Sequence, residues 1–424
     1  MSEWSSKLGF IFAAIGAAVG LGNIWRFPVT VNENGGAAFF FPYLVITFTF
    51  GLGLMIVEIS GGQQWGVDVV SIFEKLKNGI FGYVVAGVVT AILSYYMVIT
   101  GWVFGFVWIA ANGFQTTFTE FTNMTAAPMI LWAVSILLIG AIVSLGIDDG
   151  IERAVSILIP ILFIIIVILV LVATQLPGFS KGVAYYLNPD FSQMLNIGVW
   201  DSAFGQAFFS LSIAQGILLT YGTYLGGDTN VPRTSVIIAI ANFFIAFLFG
   251  LVIFPIAFSV PGFDIHNLQN GGKQLAFSVL PEVFHQMPGG IILGTVFYAL
   301  MALAAVSSAV ALFEVGTAVA IGRGMTRRKA VGYMMGILFI LGFPSALSYT
   351  GVGFEILGMR FFEFVDQSMG DYGLPIGGII TAVGFTWWQK ERVVKSDFIY
   401  YLIKYILPVV LILTMLATFL TEGI

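Results

Sequence analysis

Apolar residues in this chain neither alternate nor recur every third and fourth position beside polar partners; they run in long, nearly unbroken blocks. Eleven such blocks lie at roughly 8–34, 38–62, 80–112, 128–146, 151–175, 198–226, 234–258, 290–322, 329–348, 366–390 and 398–421. Each approaches or exceeds the roughly 20 residues that a helix needs to cross a bilayer. The blocks are too long and too uniform for barrel strands, which alternate, so no strands are expected. The pattern predicts an all-α membrane protein of eleven transmembrane helices in a single domain, 1–424. The stretch Ala13–Val19 is small and apolar like the core of a signal peptide. Only Lys7 precedes it against Glu3, and no polar mature domain follows, so it reads as the start of a spanning helix.

Composition agrees. Of 424 residues, 58% are hydrophobic and 9% charged, whereas a soluble protein carries about a quarter charged residues. The 41 Phe supply bulk for lipid faces, and the 50 Gly let helices approach closely. The lipid bilayer is therefore an expected partner. A net charge of −5 with no basic stripe gives no reason to expect nucleic acid. The absence of cysteine excludes disulfides, thiolate chemistry and cysteine-based zinc sites. His266 and His285 fall between apolar blocks and read as loop residues rather than metal ligands.

Lys and Arg set the orientation. With the N-terminus inside, one side holds Lys7, Lys75, Lys77, Arg153, Arg233, Arg323, Arg327, Arg328, Lys329, Lys390, Arg392 and Lys395. The other holds Lys181, Lys273 and Arg360, with Arg26 and Lys404 left inside segments. The asymmetry predicts a multi-pass protein of the plasma membrane, N-terminus cytoplasmic and C-terminus outside.

Two segments are interrupted. The first breaks at Gly16–Asn23, and the sixth, five helices later, at Ser210–Gly216. Paired breaks an odd number of helices apart point to an inverted repeat with a site at the breaks; glycine is also simply common in membrane helices. Near the breaks lie Asn23, Ser210, Ser212 and Asn242, with Ser307 and Ser308 on segment eight. All offer oxygen and none is charged, which suits a small monovalent cation held with freed backbone carbonyls. Any one of them alone reads equally as an interhelical hydrogen bond. Half-helix N-termini favour a carboxylate, and glycines 20 and 22 let a ligand reach the backbone.

The run Gly20-Leu-Gly22-Asn23-Ile-Trp25-Arg26-Phe-Pro28, followed by Glu33-Asn34-Gly35-Gly36, resembles the signature of the neurotransmitter:sodium symporter family. Gln206–Ser212, Tyr95-Tyr96, Pro189-Asp190-Phe191 and Gly150 with Pro160 are similar to further family motifs. The resemblance runs from Trp4 to the end of segment eight and, more weakly, beyond. It implies a LeuT-type 5+5 inverted repeat: helices 1–5 at 8–175, helices 6–10 at 198–390, and helix 11 at 398–421.

The same resemblance implies two Na+ sites. The first would use Ala18, Asn23, Ser210, Asn242 and the substrate carboxylate; the second would use Gly16, Val19, Ala304, Ser307 and Ser308. The implied substrate pocket is Ala18, Leu21, Gly22, Ile92, Tyr96, Phe209, Ser210, Ser212, Gln215, Ser308 and Leu312. Arg26 and Asp366, with Tyr96 and Phe209, would form the outer gate. Glu58 would satisfy backbone freed by unwinding, and Glu314 is a second intramembrane acid. Monoamine carriers of the family have aspartate where this chain has Gly20, which argues for an amino acid.

Three departures stand out. The inner-gate arginine and aspartate of the family fall on Met1 and Gly322, so inner closure should rest on contacts such as those of Trp4 and Tyr224. Gln215 replaces a bulky apolar pocket residue, and would either admit a polar side chain or narrow the pocket. Tyr43, Gln206, Ser210 and Asn242 match a chloride site, but Ala246 lacks the deciding oxygen, which argues against chloride. The expectation is sodium-coupled symport of a neutral, hydrophobic amino acid by alternating access. A ligand-binding membrane sensor and a proton-coupled amino acid transporter are the alternatives; no nucleophile–base pair or metal cluster near the breaks suggests an enzyme.

Overall fold

The computed structural model describes residues 4–260 and 275–422. Each predicted apolar block is helical over most of its length. Among the described residues, eight helices are long and apolar enough to cross a membrane: Ala37–Trp65, Gly79–Ala111, Ala126–Ser144, Ile147–Ala173, Val231–Ala257, Gly290–Gly322, Arg327–Leu347 and Asp397–Leu420. The pair Lys7–Ala18 and Gly22–Glu33, bent by 64°, makes nine. Segment six meets no such length because it is two helices, Ile197–Ser210 and Ile217–Thr223. Segment ten runs helically from Phe361 to Trp388, but glycines, Glu363, Asp366 and Asp371 make it more polar than the rest.

Burial orders the bundle. The most apolar window of Gly290–Gly322 is 78% buried and that of Gly79–Ala111 is 67%, against 22% for Asp397–Leu420. Segments three and eight therefore form the centre and the last segment lies outside. Peripheral helices turn Ile157, Ile164, Leu171, Ile340 and Phe343 outward, a surface stable only against hydrocarbon.

The sequence expectations need four adjustments. The first break is narrower than Gly16–Asn23: the α-helix persists through Ala18, and only Val19–Leu21 separate it from the π-helical turn Gly22–Arg26. Segment ten begins at Phe361, five residues early. A two-residue hairpin, Glu355–Ile356 against Met359–Arg360, interrupts the otherwise helical fold. His285 sits on a helix, Leu280–Gln286, with its Nδ1 3.0 Å from the Gly113 carbonyl; His266 lies outside the described residues.

Two motif fragments meet across 150 residues of chain. Gly36 bridges Pro189, and the Asp190 N–H donates to the Gly35 carbonyl at 3.1 Å. Gly35 and Gly36 have φ of 85° and 63°, and a Cβ on Gly36 would sit 2.7 Å from the Asn188 carbonyl oxygen. Glycine is required there on both counts.

Candidate functional site

The two breaks face one another. In segment six the chain turns through Ser212, Ala214 and Gly216 at φ of 52°, 66° and 71°. Positive φ at the first two is a conformation that non-glycine residues rarely hold without support. Glu58 supplies it, accepting the Ala214 N–H at 2.9 Å, as expected from the sequence. Ser212 Oγ ties the breaks together by donating to the Ala17 carbonyl at 2.7 Å.

Oxygens converge in two places. Asn23 Nδ2 donates to Asn242 Oδ1 at 2.7 Å, and Ser210 Oγ lies 3.2 Å from that same oxygen. Asn242 Oδ1 also stands among acceptors, about 3.2 Å from the Ala18 carbonyl and 3.1 Å from that of Ser210. Either the amide turns to donate to those carbonyls, or a cation belongs among the oxygens. The Asn23 Oδ1 atom is buried with no hydrogen-bond partner, and buried amide oxygens are costly to leave so. This donor set fits a hard monovalent ion. At the second place, Ser308 Oγ donates to the Gly16 carbonyl at 3.1 Å, with the Ala17 carbonyl at 3.3 Å. Ser307 Oγ donates to the Ala304 carbonyl at 3.0 Å. A Cβ on Gly16 would press on Ser307 at 3.2 Å, so glycine lets the two helices meet. Val19 is buried at the kink, its N–H bonded to the Ile15 carbonyl. Among the described residues, no group of three His, Cys, Asp or Glu could hold a metal.

Between these places lies a cavity of about 30 Å³ lined by Ala17, Ala18, Gly20, Leu21, Gly22, Asn23, Ile92, Tyr96, Phe209, Ser212, Gln215, Ser308 and Leu312. Every predicted pocket residue lines it except Ser210, which turns instead to Asn242 and to Tyr43 at 3.3 Å. That volume accommodates about one water molecule; an amino acid needs Phe209 or its neighbours to shift. Gly20 is wedged, since a Cβ there would stand 2.6 Å from Ser308 Oγ and 3.4 Å from Tyr96 Oη. An aspartate at this position would have to displace Ser308.

Beyond Phe209 opens a second cavity, about 440 Å³, lined by Arg26, Glu33, Tyr95, Asp366 and Asp371 among others. Leu21, Gly22, Tyr96 and Phe209 line both, so they form the partition. The Arg26 guanidinium lies 5.0 Å from the centre of the Phe209 ring. Asp366 shares a hydrogen bond with Tyr95 close to the Arg26 charge. All four predicted gate residues thus border the passage between the cavities.

At the opposite end, the expected contact between Trp4 and Tyr224 is present, and sequence reasoning missed those of Glu152 and of Glu314 with Arg327. Trp4 is buried against Tyr221 and Tyr224 at 5.1 and 6.4 Å between ring centres; its backbone N–H donates to the Tyr224 carbonyl at 3.0 Å. Glu152 accepts from Ser5 N–H, Ser5 Oγ and Ser6 Oγ at 2.7, 2.7 and 2.9 Å. Glu314, fully buried, takes two bonds from Arg327 at 3.2 and 2.6 Å and one from the Tyr224 hydroxyl at 2.8 Å. A side chain on Gly322 would strike the Asp68 carboxylate, which caps the helix Val69–Lys75. An aspartate there is excluded by space as well as by charge.

A model of the sodium:neurotransmitter symporter family matches residues 1–119 and 110–419. An uncharacterised sodium-dependent transporter of Bacillus subtilis is 30% identical across 98% of this chain and 97% of its own length. One from Methanocaldococcus jannaschii is 32% identical across 91% of this chain and 81% of its own length. The Drosophila melanogaster sodium-dependent serotonin transporter is 27% identical across 70% and 56%. The crystal structure of MhsT in complex with L-phenylalanine superposes with a TM-score of 0.87 at 32% identity, covering 99% of this chain and all of that one.

Proposed function

Because this chain belongs to the sodium:neurotransmitter symporter family, a family of multi-pass membrane transporters, we propose that it carries a neutral amino acid inward with sodium by alternating access. The observation that carries this reading is the meeting of Asn23, Ser210, Asn242 and the Ala18 carbonyl beside the small central cavity. A substrate carboxylate placed at these oxygens would complete a sodium shell, so each ligand binds better with the other present. Ser307, Ser308 and the carbonyls of Gly16, Val19 and Ala304 would hold a second ion. The L-phenylalanine in the related structure supports an amino acid as cargo. Ala246 offers no oxygen beside Tyr43, Gln206 and Ser210, so chloride has no role in this reading.

All eleven segments cross the plasma membrane in this reading, with the N-terminus cytoplasmic, the C-terminus outside, and the fifth-helix offset of the breaks placing them in inverted repeats. The 440 Å³ cavity then opens outward. Sodium and amino acid enter through it, Phe209 and Tyr96 close, Arg26 and Asp366 draw together above them, and the broken helices rock inward. Two sodium ions moving across about 100 mV supply roughly 4.6 kcal/mol, about a thousandfold in concentration. The neutral site favours sodium over a proton as driving ion. Uptake of radiolabelled amino acids into proteoliposomes, with and without an inward sodium gradient, tests the proposal. Sodium-driven accumulation is expected; uptake equal in both conditions defeats it.

A further inference from the structure

The small central cavity has two chemically distinct ends. Asn23, Ser212 and Ser308 already bond to Asn242, Ala17 and Gly16, and so belong with the ion and carboxylate. Gln215 is different. It lines the cavity, is 4% exposed, and its side chain makes no hydrogen bond to any described residue. The backbone around it is held firmly: Glu58 binds the Ala214 N–H, and Gly216 adopts φ of 71° with Val85 against it. The amide is thus presented by a fixed frame rather than a mobile loop. The Gln215 amide atoms are not sealed in protein but face the cavity, where water or a ligand must supply the partner that the protein does not.

We infer that the Gln215 amide recognises the end of the substrate side chain, and that the preferred substrate is an uncharged amino acid whose side chain ends in a hydroxyl or carboxamide. This rests on the transport reading above and sharpens its expectation of a hydrophobic cargo. Ile92 and Leu312 line the same cavity and suit an apolar stem. The amide offers both a donor and an acceptor, matching groups that are themselves donor and acceptor. It offers no charge, and among the described residues no Asp, Glu, Lys, Arg or His lines this cavity, so charged side chains are disfavoured. A site built to hydrogen-bond a substrate group rejects the analogue lacking it strongly, because both the site's polar group and its dehydrated surroundings go unpaired.

The test uses the full chain in proteoliposomes with a sodium gradient and three near-isosteric pairs: threonine with valine, glutamine with methionine, tyrosine with phenylalanine. In at least one pair the polar member should show about a tenfold or lower KM, and Gln215→Leu should erase or invert that preference. Apolar members transported as well as or better than polar ones in all three pairs would overturn the inference while leaving sodium-coupled transport intact. So would a preference that Gln215→Leu leaves unchanged. Should that variant fail to reach the membrane, the wild-type pairs still decide. Sodium-independent behaviour of all six would instead overturn the transport reading, and this inference with it.

Discussion

The two ends of the passage are closed by different physics. On the side of Arg26 and Asp366, a 440 Å³ cavity reaches down to Phe209, and a single layer of side chains separates it from the centre. On the side of Trp4, three connected devices hold the broken helices shut. Trp4 packs among Phe10, Tyr221 and Tyr224; Glu152 grips Ser5 and Ser6; Glu314 joins Tyr224 to Arg327. In the proposed orientation the outer partition can open by rotating side chains, whereas the inner seal requires breaking partly buried charge-assisted bonds. The proposed cycle therefore has its larger barrier on the inner side, and substrate binding must contribute to overcoming it.

That asymmetry breaks most severely at the buried ion pair. Arg327→Ala leaves the fully buried Glu314 without its charge partner, which costs about 3–5 kcal/mol. The variant should melt earlier in detergent and rest with its inner side open; an unchanged melting temperature would remove the pair from the seal. The absence of cysteine makes a single introduced thiol a clean reporter. Thr220 is fully buried on the second half of segment six, Ile217–Thr223, so Thr220→Cys should resist thiol reagents until the seal opens.

Glu152→Gln keeps the shape and loses the charge that holds Ser5 and Ser6. Hydrogen bonds to charged groups contribute about 1.5–3 kcal/mol, so labelling of the Thr220 reporter should rise on the order of tenfold or more. Glu152 ends the π-helical turn that begins segment five, Ile147–Glu152, beside Gly150. Its contact with Ser5 and Ser6 couples that turn to the start of the first helix. Labelling that stays at the parental rate would mean that Trp4 and the Glu314 contacts with Tyr224 and Arg327 hold this side without Glu152. The outer gate should respond less. Asp366→Asn removes one charge from a partly exposed site, worth about 1 kcal/mol, and should raise substrate KM several-fold without exposing the Thr220 reporter.

The contrast between the ends is also a contrast in what the sequence discloses. The breaks were legible because glycines and uncharged polar residues interrupt long apolar runs, and Arg26 lay inside a recognisable motif. That Glu58 meets unwound backbone followed from the family resemblance, whereas Ala214 as its partner did not. The Glu152 latch was not legible: an acid and two serines 146 and 147 positions apart leave no periodic trace. The loss of an acid at Gly322 looked like a missing gate, yet Asp68 from another element fills that space. Segment ten started early because its polar first turn, Phe361–Gln367, helps line the outer cavity through Asp366 and Gln367 rather than facing lipid. Apolarity marks where a helix meets hydrocarbon; it says little where a helix meets water inside the protein.

The smallest effect belongs to the most conspicuous surface ion pair. Arg323 meets Glu74 through two bonds at 3.0 and 2.8 Å near the inner end of segment eight, one residue beyond Gly322. By position it looks like a substitute for the missing gate. However, its side chains are 33% and 44% exposed, and exposed pairs contribute about 0–1 kcal/mol because water already solvates both charges. Among the described residues, no hydrogen bond joins either partner to Trp4, Ser5 or Ser6. Arg323→Ala should leave uptake and the Thr220 reporter near parental values, with any residual effect fading as salt screens the pair. A large gain in labelling from this variant would move the seal from the buried layer to the surface, and would make the two ends of the passage alike in kind.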